Sequence, residues 1–232
     1  MAQARILALI ELLRSLDTHS ASTPLEAQHA HMRALTTDLD ATGVFRDPAW
    51  ADYQVYAIDV LQRLAFRDAG PGSPAEVAHW CLNRWLALAT AQPGNARVLQ
   101  GIGEWWLARA QPWLTRIYSD SSESDGTAGG TRRAQESELP LHSGDYVEAR
   151  GLLNPAVEYL RRGAEAAGPG ASGPLLISAA RAHIDLGNVS HPRVNAEIFA
   201  QAVRYLRAAR QAGVVLPEHL QRYLDEYGSV VD

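Results

Sequence analysis

The sequence predicts an all-α protein, and three observations support this prediction. Apolar residues recur at intervals of three and four along most of the chain, the spacing that places them on one face of an α-helix. Runs in which apolar and polar residues alternate, as in half-buried strands, are nearly absent. Clusters of glycine and proline divide the apolar stripes into segments of helical length. We therefore expect antiparallel pairs of helices.

The first half of the chain, 1–118, contains about five predicted helices. The first has an apolar stripe from Ile6 to Leu16. The other four each follow a sequence that typically starts a helix, because it supplies a cap or a proline in the first turn. In chain order these start signals are Thr23-Pro24, Asp47-Pro48, the capping box Ser73-Pro74-Ala75-Glu76, and Gln92-Pro93-Gly94-Asn95.

Between residues 119 and 143 the composition changes abruptly to Ser, Gly, Thr, Asp and Glu. The segment lacks the apolar side chains that would offset the entropy cost of ordering it. It is predicted to be a flexible, disordered internal loop between the halves 1–118 and 144–232. Within it, Ser122 has Asp125 three positions later, a pattern favoured by acidophilic kinases, so Ser122 is a candidate phosphosite. The alternative is an unmodified linker.

The second half of the chain resumes the helical pattern. Three longer amphipathic segments are followed by a short closing helix, and Gly187-Asn188 is predicted to cap the second of them at its C-terminus. The predicted segments are 146–167, 175–186, 197–211 and 217–227.

The spacing of large and small residues resembles the tetratricopeptide repeat (TPR), a helical hairpin that stacks into an α-solenoid. The resemblance runs from about residue 76 to 211 and is interrupted by 119–143. In the first region Cys81, Trp85, Leu88 and Pro93 match a second helix, and Leu99, Ile102, Gly103 and Trp106 match the next first helix. In the second region the corresponding residues are Ala156, Leu160, Gly163 and Pro169, then Leu176, Ala179, Ala180 and His183.

This resemblance implies a TPR-like scaffold that binds a peptide or helix of another protein on a concave surface. The positions that would face this groove include Arg97, Glu104 and Arg181. They do not reproduce the Lys, Asn and Arg clamp by which some TPR proteins hold a chaperone's C-terminal carboxylate. The small residue Gly103 is expected where two helices cross closely.

Two further features are candidates for partner binding. Trp105 and Trp106 are adjacent and diverge by about 100° on a helix, so they cannot both face one core. Trp105 is therefore a candidate anchor in the groove or on a partner surface, with burial under the N-terminal helices as the alternative. Arg204 and Arg207 belong to an arginine row that, with Arg161 and Arg162, could receive an acidic partner segment. The alternative for this row is a solvated helix face.

No catalytic or phosphate-binding motif was found, and we expect no cofactor and no metal. His29 and His31 point about 200° apart on a helix and are expected to be ordinary surface residues. Cys81 lies on an apolar stripe and is expected to be a buried thiol. His183, Asp185 and His191 form the densest titratable cluster. They are expected to serve in capping and turn hydrogen bonds, and a loop-built enzyme or ligand site near His183 is the alternative.

Composition restricts the partners. The formal charge of −5 gives no general attraction to nucleic acid or anionic lipid, and no apolar run is long enough to span a membrane. The single cysteine favours a reducing compartment, cytoplasm or nucleus. All 21 basic residues are arginine. This lysine-free composition excludes lysine chemistry and reflects either codon bias or selection against lysine modification. We therefore predict a non-enzymatic adaptor or assembly factor that binds another protein.

Overall fold

The computed structural model describes residues 2–19, 24–67, 74–124 and 142–228. Within these ranges the chain forms nine α-helices and a few 3₁₀ turns, with no strand. Successive helices pack in antiparallel pairs, so the all-α prediction is confirmed. Residues 1–93 and 94–232 form two compact units, which are described separately.

The first unit contains four helices. The turn between α2 and α3 is made of two 3₁₀ turns, Val44–Arg46 and Pro48–Trp50, and Asp47 caps the second of these by accepting a hydrogen bond from the Ala49 N–H at 2.9 Å. The helices are α1 (Ala2–His19), α2 (Leu25–Thr42), α3 (Ala51–Ala65) and α4 (Ala75–Ala91).

Two buried glutamines fix the geometry of this unit. Gln54 donates to the carbonyl oxygens of Val44 and Asp47, both at 2.8 Å, and so holds the 3₁₀ turns against α3. Gln62 accepts from the indole N–H of Trp85 at 2.8 Å, which ties α3 to α4. Each bond satisfies polar groups that would be costly to bury alone.

The second unit contains five helices, and its core lies between α5, α6, α7 and α8. Ser172 caps α7, and His191 caps α8 by accepting from the Arg193 N–H at 3.1 Å. The helices are α5 (Ala96–Ser124), α6 (Gly144–Ala167), α7 (Gly173–Asn188), α8 (Pro192–Gln211) and α9 (Glu218–Tyr227).

Two glycines allow α5 and α6 to approach closely. A Cβ on Gly103 of α5 would lie 2.5 Å from Leu160 Cγ and 3.2 Å from the Ala156 carbonyl oxygen, both on α6. A Cβ on Gly163 of α6 would in turn lie 3.3 Å from the carbonyl oxygen of Ala96 on α5. The close crossing expected at Gly103 is therefore confirmed.

Several boundaries differ from the sequence-based prediction. Helix α5 continues to Ser124, so the predicted loop begins at least six residues too early. Residues 125–141 lie outside the described residues, as do Ser73 of the predicted capping box and Thr23. The predicted division at 119–143 also falls between α5 and α6, which pack against each other inside the second unit.

Two predictions about single residues were wrong. Gly187 does not end α7 in a left-handed cap. It is a helical residue on which a Cβ would lie 2.3 Å from the Phe199 ring of α8, so close packing explains the glycine. His29 is buried rather than on the surface, whereas its neighbour His31 is exposed.

Candidate functional site: a polar face between α5 and α7

A series of polar contacts connects α5 to α7. Ser178 donates to the Glu104 carboxylate at 2.8 Å, the Gln111 amide hydrogen-bonds the Asp185 carboxylate, and Asn188 Nδ2 donates to the Tyr118 hydroxyl at 3.2 Å. Along this series of contacts the residue numbers increase on both helices, so α5 and α7 run parallel. We call this set the α5–α7 polar face: Glu104, Gln111 and Tyr118 with Ser178, Asp185 and Asn188.

The spacing along each helix explains why these side chains meet. Glu104, Gln111 and Tyr118 are seven residues apart, which is nearly two helical turns, and therefore lie on one stripe of α5. Ser178 and Asp185 have the same separation on α7. All six side chains are at least partly accessible. The face is thus a polar surface flanked by the apolar core.

Glu104 is held in place from two sides. Its Oε1 accepts from the hydroxyl of Ser178 and from Nε2 of Gln100, each at 2.8 Å. Gln100 is itself buried, with 3% of its surface exposed. Because the carboxylate is oriented by α7 and by its own helix, it is preorganised to accept a further donor.

Asp185 is the electrostatically unusual group on this face. Burial raises the pKa of its carboxyl to about 6, against the opposing effects of the Arg181 guanidinium and the Gln111 amide. Tyr118 is affected in the same direction, because burial and the nearby Asp185 raise the pKa of its phenol. The charge of the face therefore changes near pH 6, where the Asp185 carboxyl ionises.

Three of the predicted partner-binding residues lie on these two stripes. Glu104 belongs to the α5–α7 polar face, and Arg97 lies seven residues before it on the same stripe of α5. Arg181 lies between Ser178 and Asp185 on α7, where it is exposed. Their role in partner binding stays a prediction.

Arg204 and Arg207 lie elsewhere, on α8. Arg204 is exposed and donates to the Gln201 side chain one turn earlier. Arg207 is half-buried and donates to the carbonyl oxygen of Gly228 after α9. The predicted partner-binding residues therefore occupy two separate surfaces of the second unit.

Trp105 is in the interior. Only 3% of its surface is exposed, and its ring makes an edge contact with Trp106, whose centroid is 5.0 Å away. The hypothesis of a surface anchor was therefore wrong, because the side chain is buried. A tryptophan of this volume can contribute to partner binding only if the surrounding residues move.

The titratable cluster around the end of α7 does not converge on one point. His183 is buried, its Nδ1 lies 2.7 Å from the Ala179 carbonyl oxygen, and burial lowers its pKa. Asp185 faces α5, while His191 caps α8. The expected capping role is confirmed for His191, and His183 is held by its own helix.

The remaining candidates are the Cys81 thiol, a metal site and the Ser122 phosphosite. Cys81 is fully buried, and burial raises the pKa of its thiol, as expected of a structural cysteine. Among the described residues, no group of three or more His, Cys, Asp or Glu side chains is arranged to hold a metal ion. The backbone of Ser122 belongs to the last turn of α5, but its side chain lies outside the described residues.

The sequence reasoning missed Gln111, Tyr118, Ser178, Asp185 and Asn188 as members of one face. A signal was present, because polar residues repeat every seven positions on α5 and again on α7. It was difficult to recognise since the contacts join residues about 70 positions apart, with α6 and the 119–143 segment between them.

The fold defines a class, an all-α protein of antiparallel helix pairs, and no described helix is both long and apolar enough to cross a membrane. No protein-family model matches the chain, and neither does any curated protein. A similar solved structure is that of the S. pombe nuclear import adaptor Nro1. It has a TM-score of 0.52 and 15% identity, and the match covers 98% of this chain. The chain spans 64% of the Nro1 chain, and at this identity the likeness concerns the fold alone.

Proposed function

We propose that this protein is a non-enzymatic adaptor or assembly factor that binds another protein through its helical surfaces. The observation that carries the proposal is the α5–α7 polar face. Carboxylate, amide and hydroxyl groups are held there between two parallel helices at a surface, with Arg97 and Arg181 beside them. Such a set can hydrogen-bond the backbone and side chains of a peptide or helix laid along the face.

The TPR resemblance supports the same proposal. Gly103, from the first-helix match, packs against Leu160 and Ala156 from the second-helix match. These two matches thus form one helical hairpin, although the 119–143 segment separates them in the sequence. In a TPR-like arrangement the first helices line the concave, partner-binding surface.

The likeness to Nro1 suggests a setting for the adaptor. That protein is described as a nuclear import adaptor, and its fold covers nearly the whole of this chain. We propose that the present protein acts in the cytoplasm or nucleus and accompanies a partner protein between them. This assignment rests on the fold and on the protein-binding function inferred above.

The alternative, an enzyme or small-ligand binder near His183, has weaker support. It requires side chains that converge on a substrate, whereas His183, Asp185 and His191 point to three different elements. Burial is the largest cause of the perturbed pKa values of His183 and Asp185, so these values do not require a catalytic role.

Quantitative affinity purification from the native source tests the proposal. We expect a stoichiometric partner to be retained by the wild-type chain and lost when Arg181→Glu is introduced, because this reverses an exposed charge on the face. Arg109→Glu is the matched control, an exposed arginine also in the second unit but off the two stripes. Recovery of the chain as a monomer without any partner would contradict the proposal, as would a partner that Arg181→Glu retains in full.

A further inference from the structure

A second surface of the same unit, away from the α5–α7 polar face, has the form of a docking groove. Two adjoining cavities of about 370 and 350 Å³ lie along α6 and α8 and share Gly168, Ala171 and Leu176. Their floor is apolar and includes Ala164, Ala171, Leu176 and Ala208. We call this feature the α6–α8 groove.

Polar side chains form its walls. Arg161 and Glu165 of α6 line one side, and Gln201 and Tyr205 of α8 line the other. Residues 201, 205 and 208 of α8 and Ala212 directly after it all line the groove and follow the helical spacing of one stripe. Arg204 lies three residues after Gln201 and four before Ala208, so it stands at the rim of the groove.

The surroundings of the groove are positively charged. Arg204, Arg207 and Arg210 follow one another at intervals of three on α8, and no acidic residue occurs between Ile198 and Pro217. Arg161 and Arg162 lie on α6. Glu158 and Glu165, also on α6, both pair with Arg161. This positive surface occurs in a chain whose formal charge is −5.

Arg204 is the exposed arginine at this rim, and within the described part of the chain it contacts the neutral Gln201 and pairs with no carboxylate. Its charge therefore remains available to a ligand, and exposed arginines bind carboxylates in a directional, bidentate manner.

From the charge and shape of this surface we infer that the α6–α8 groove binds an acidic segment of a partner protein. An aliphatic side chain of the segment occupies the apolar floor, and a flanking carboxylate reaches Arg204. The groove is separate from the α5–α7 polar face, so it adds a second docking surface of defined chemistry to the proposed adaptor.

Peptide display on the full chain tests this inference. A phage library of random 12-residue peptides is selected on the immobilised protein, and the selected peptides are sequenced. We expect enrichment of Asp and Glu around a Leu, Ile or Val, and competition by excess free peptide. A selected population no more acidic than the starting library would overturn the inference.

The strongest selected peptide is then synthesised with a fluorescent label, and its affinity is measured by anisotropy. Arg204→Glu should weaken binding by at least about tenfold, and Ala208→Trp should do the same by filling the floor. Arg193→Glu, on the exposed first turn of α8, is the matched control and should leave the affinity within about twofold. Circular dichroism verifies that each variant is folded.

Two results would refute this assignment. If both groove variants bind as tightly as the wild type, the acidic segment does not dock there. If Arg181→Glu weakens the peptide instead, the peptide binds the α5–α7 polar face. That result would overturn the groove inference while supporting the proposed function. Weaker binding at higher salt is expected because the contacts involve exposed charges.

Discussion

Gly103 of α5 and Leu160 of α6 are in such close contact that a Cβ added at position 103 would lie 2.5 Å from the Leu160 Cγ atom. Gly103→Leu should therefore lower the free energy of unfolding by about 2–3 kcal/mol or more through overpacking. Urea denaturation measures the change.

Gly151→Ala, at an exposed position of α6, is the control. A Cβ there meets open space, and the substitution should stabilise by about 0.5–1 kcal/mol. Equal effects at both positions would contradict the described contact.

Asp185 should make stability depend on pH. Its pKa rises from 3.8 to about 6 on folding, so the carboxyl favours the folded state while it is protonated. This contribution is complete below about pH 4 and is lost as the pH rises through about 6. Asp185→Asn keeps a partner for Gln111 and cannot ionise. Above pH 7 it should be more stable than the wild type by up to about 2–3 kcal/mol.

Urea denaturation of both proteins between pH 4 and 8 measures this difference. The pKa of His183 is lowered by burial and contributes in the opposite sense, with stability lost as the pH falls below 6.5. Because His183 is present in both proteins, its effect largely cancels in the comparison. A difference that does not change with pH would show that Asp185 titrates normally.

Cys81 should be inert in the native protein. It is fully buried, and burial raises its thiol pKa, so almost no thiolate is available at neutral pH. A thiol-reactive chromogenic disulfide should leave the native chain unmodified and should label one thiol per chain in urea, since the chain has 1 cysteine. Rapid labelling without denaturant would place Cys81 at an accessible position.

Residues 125–141 should be dispensable for folding. Arg116 of α5 and Asp145 of α6 form a two-point ion pair at 3.1 and 3.2 Å, and the two helices also pack along their length. Helix α5 continues for eight residues beyond Arg116, a length of about 12 Å. A ten-residue Gly-Ser linker easily spans this distance back to the start of α6. The replacement should change stability by less than about 1 kcal/mol. Loss of the cooperative unfolding transition would show that 125–141 contributes to the core.

Ser122 stays a candidate phosphosite. Incubation of the folded chain with an acidophilic kinase should add phosphate at Ser122, because Asp125 stands three residues later in the favoured pattern. Peptide mapping by mass spectrometry locates the phosphate, with Ser122→Ala as the control. Equal phosphate incorporation into the control would exclude this serine as the main site.

Periodicity was sufficient to predict the helices, because burial of an apolar stripe depends on residues three and four apart. It also identified Gly103 as a crossing point and placed Arg97, Glu104 and Arg181 on two neighbouring helices. It did not reveal which helix crosses at Gly103, since Leu160 follows only after the 119–143 segment. Nor did it decide between Trp105 and Trp106, because adjacent residues on a helix give the same local signal and only tertiary packing distinguishes them.

The packing of α5 on α6 also affects how the chain can be divided. A break within 125–141 would not separate the two compact units. It would cut through the interior of the second one and leave complementary apolar faces on two polypeptides. Neither fragment could bury its exposed face alone, so α5 on one fragment and α6 to α9 on the other would require each other to complete the second unit. Residues 1–124 and 142–232, expressed separately, would therefore associate through this face, a behaviour suited to fragment-complementation reporters.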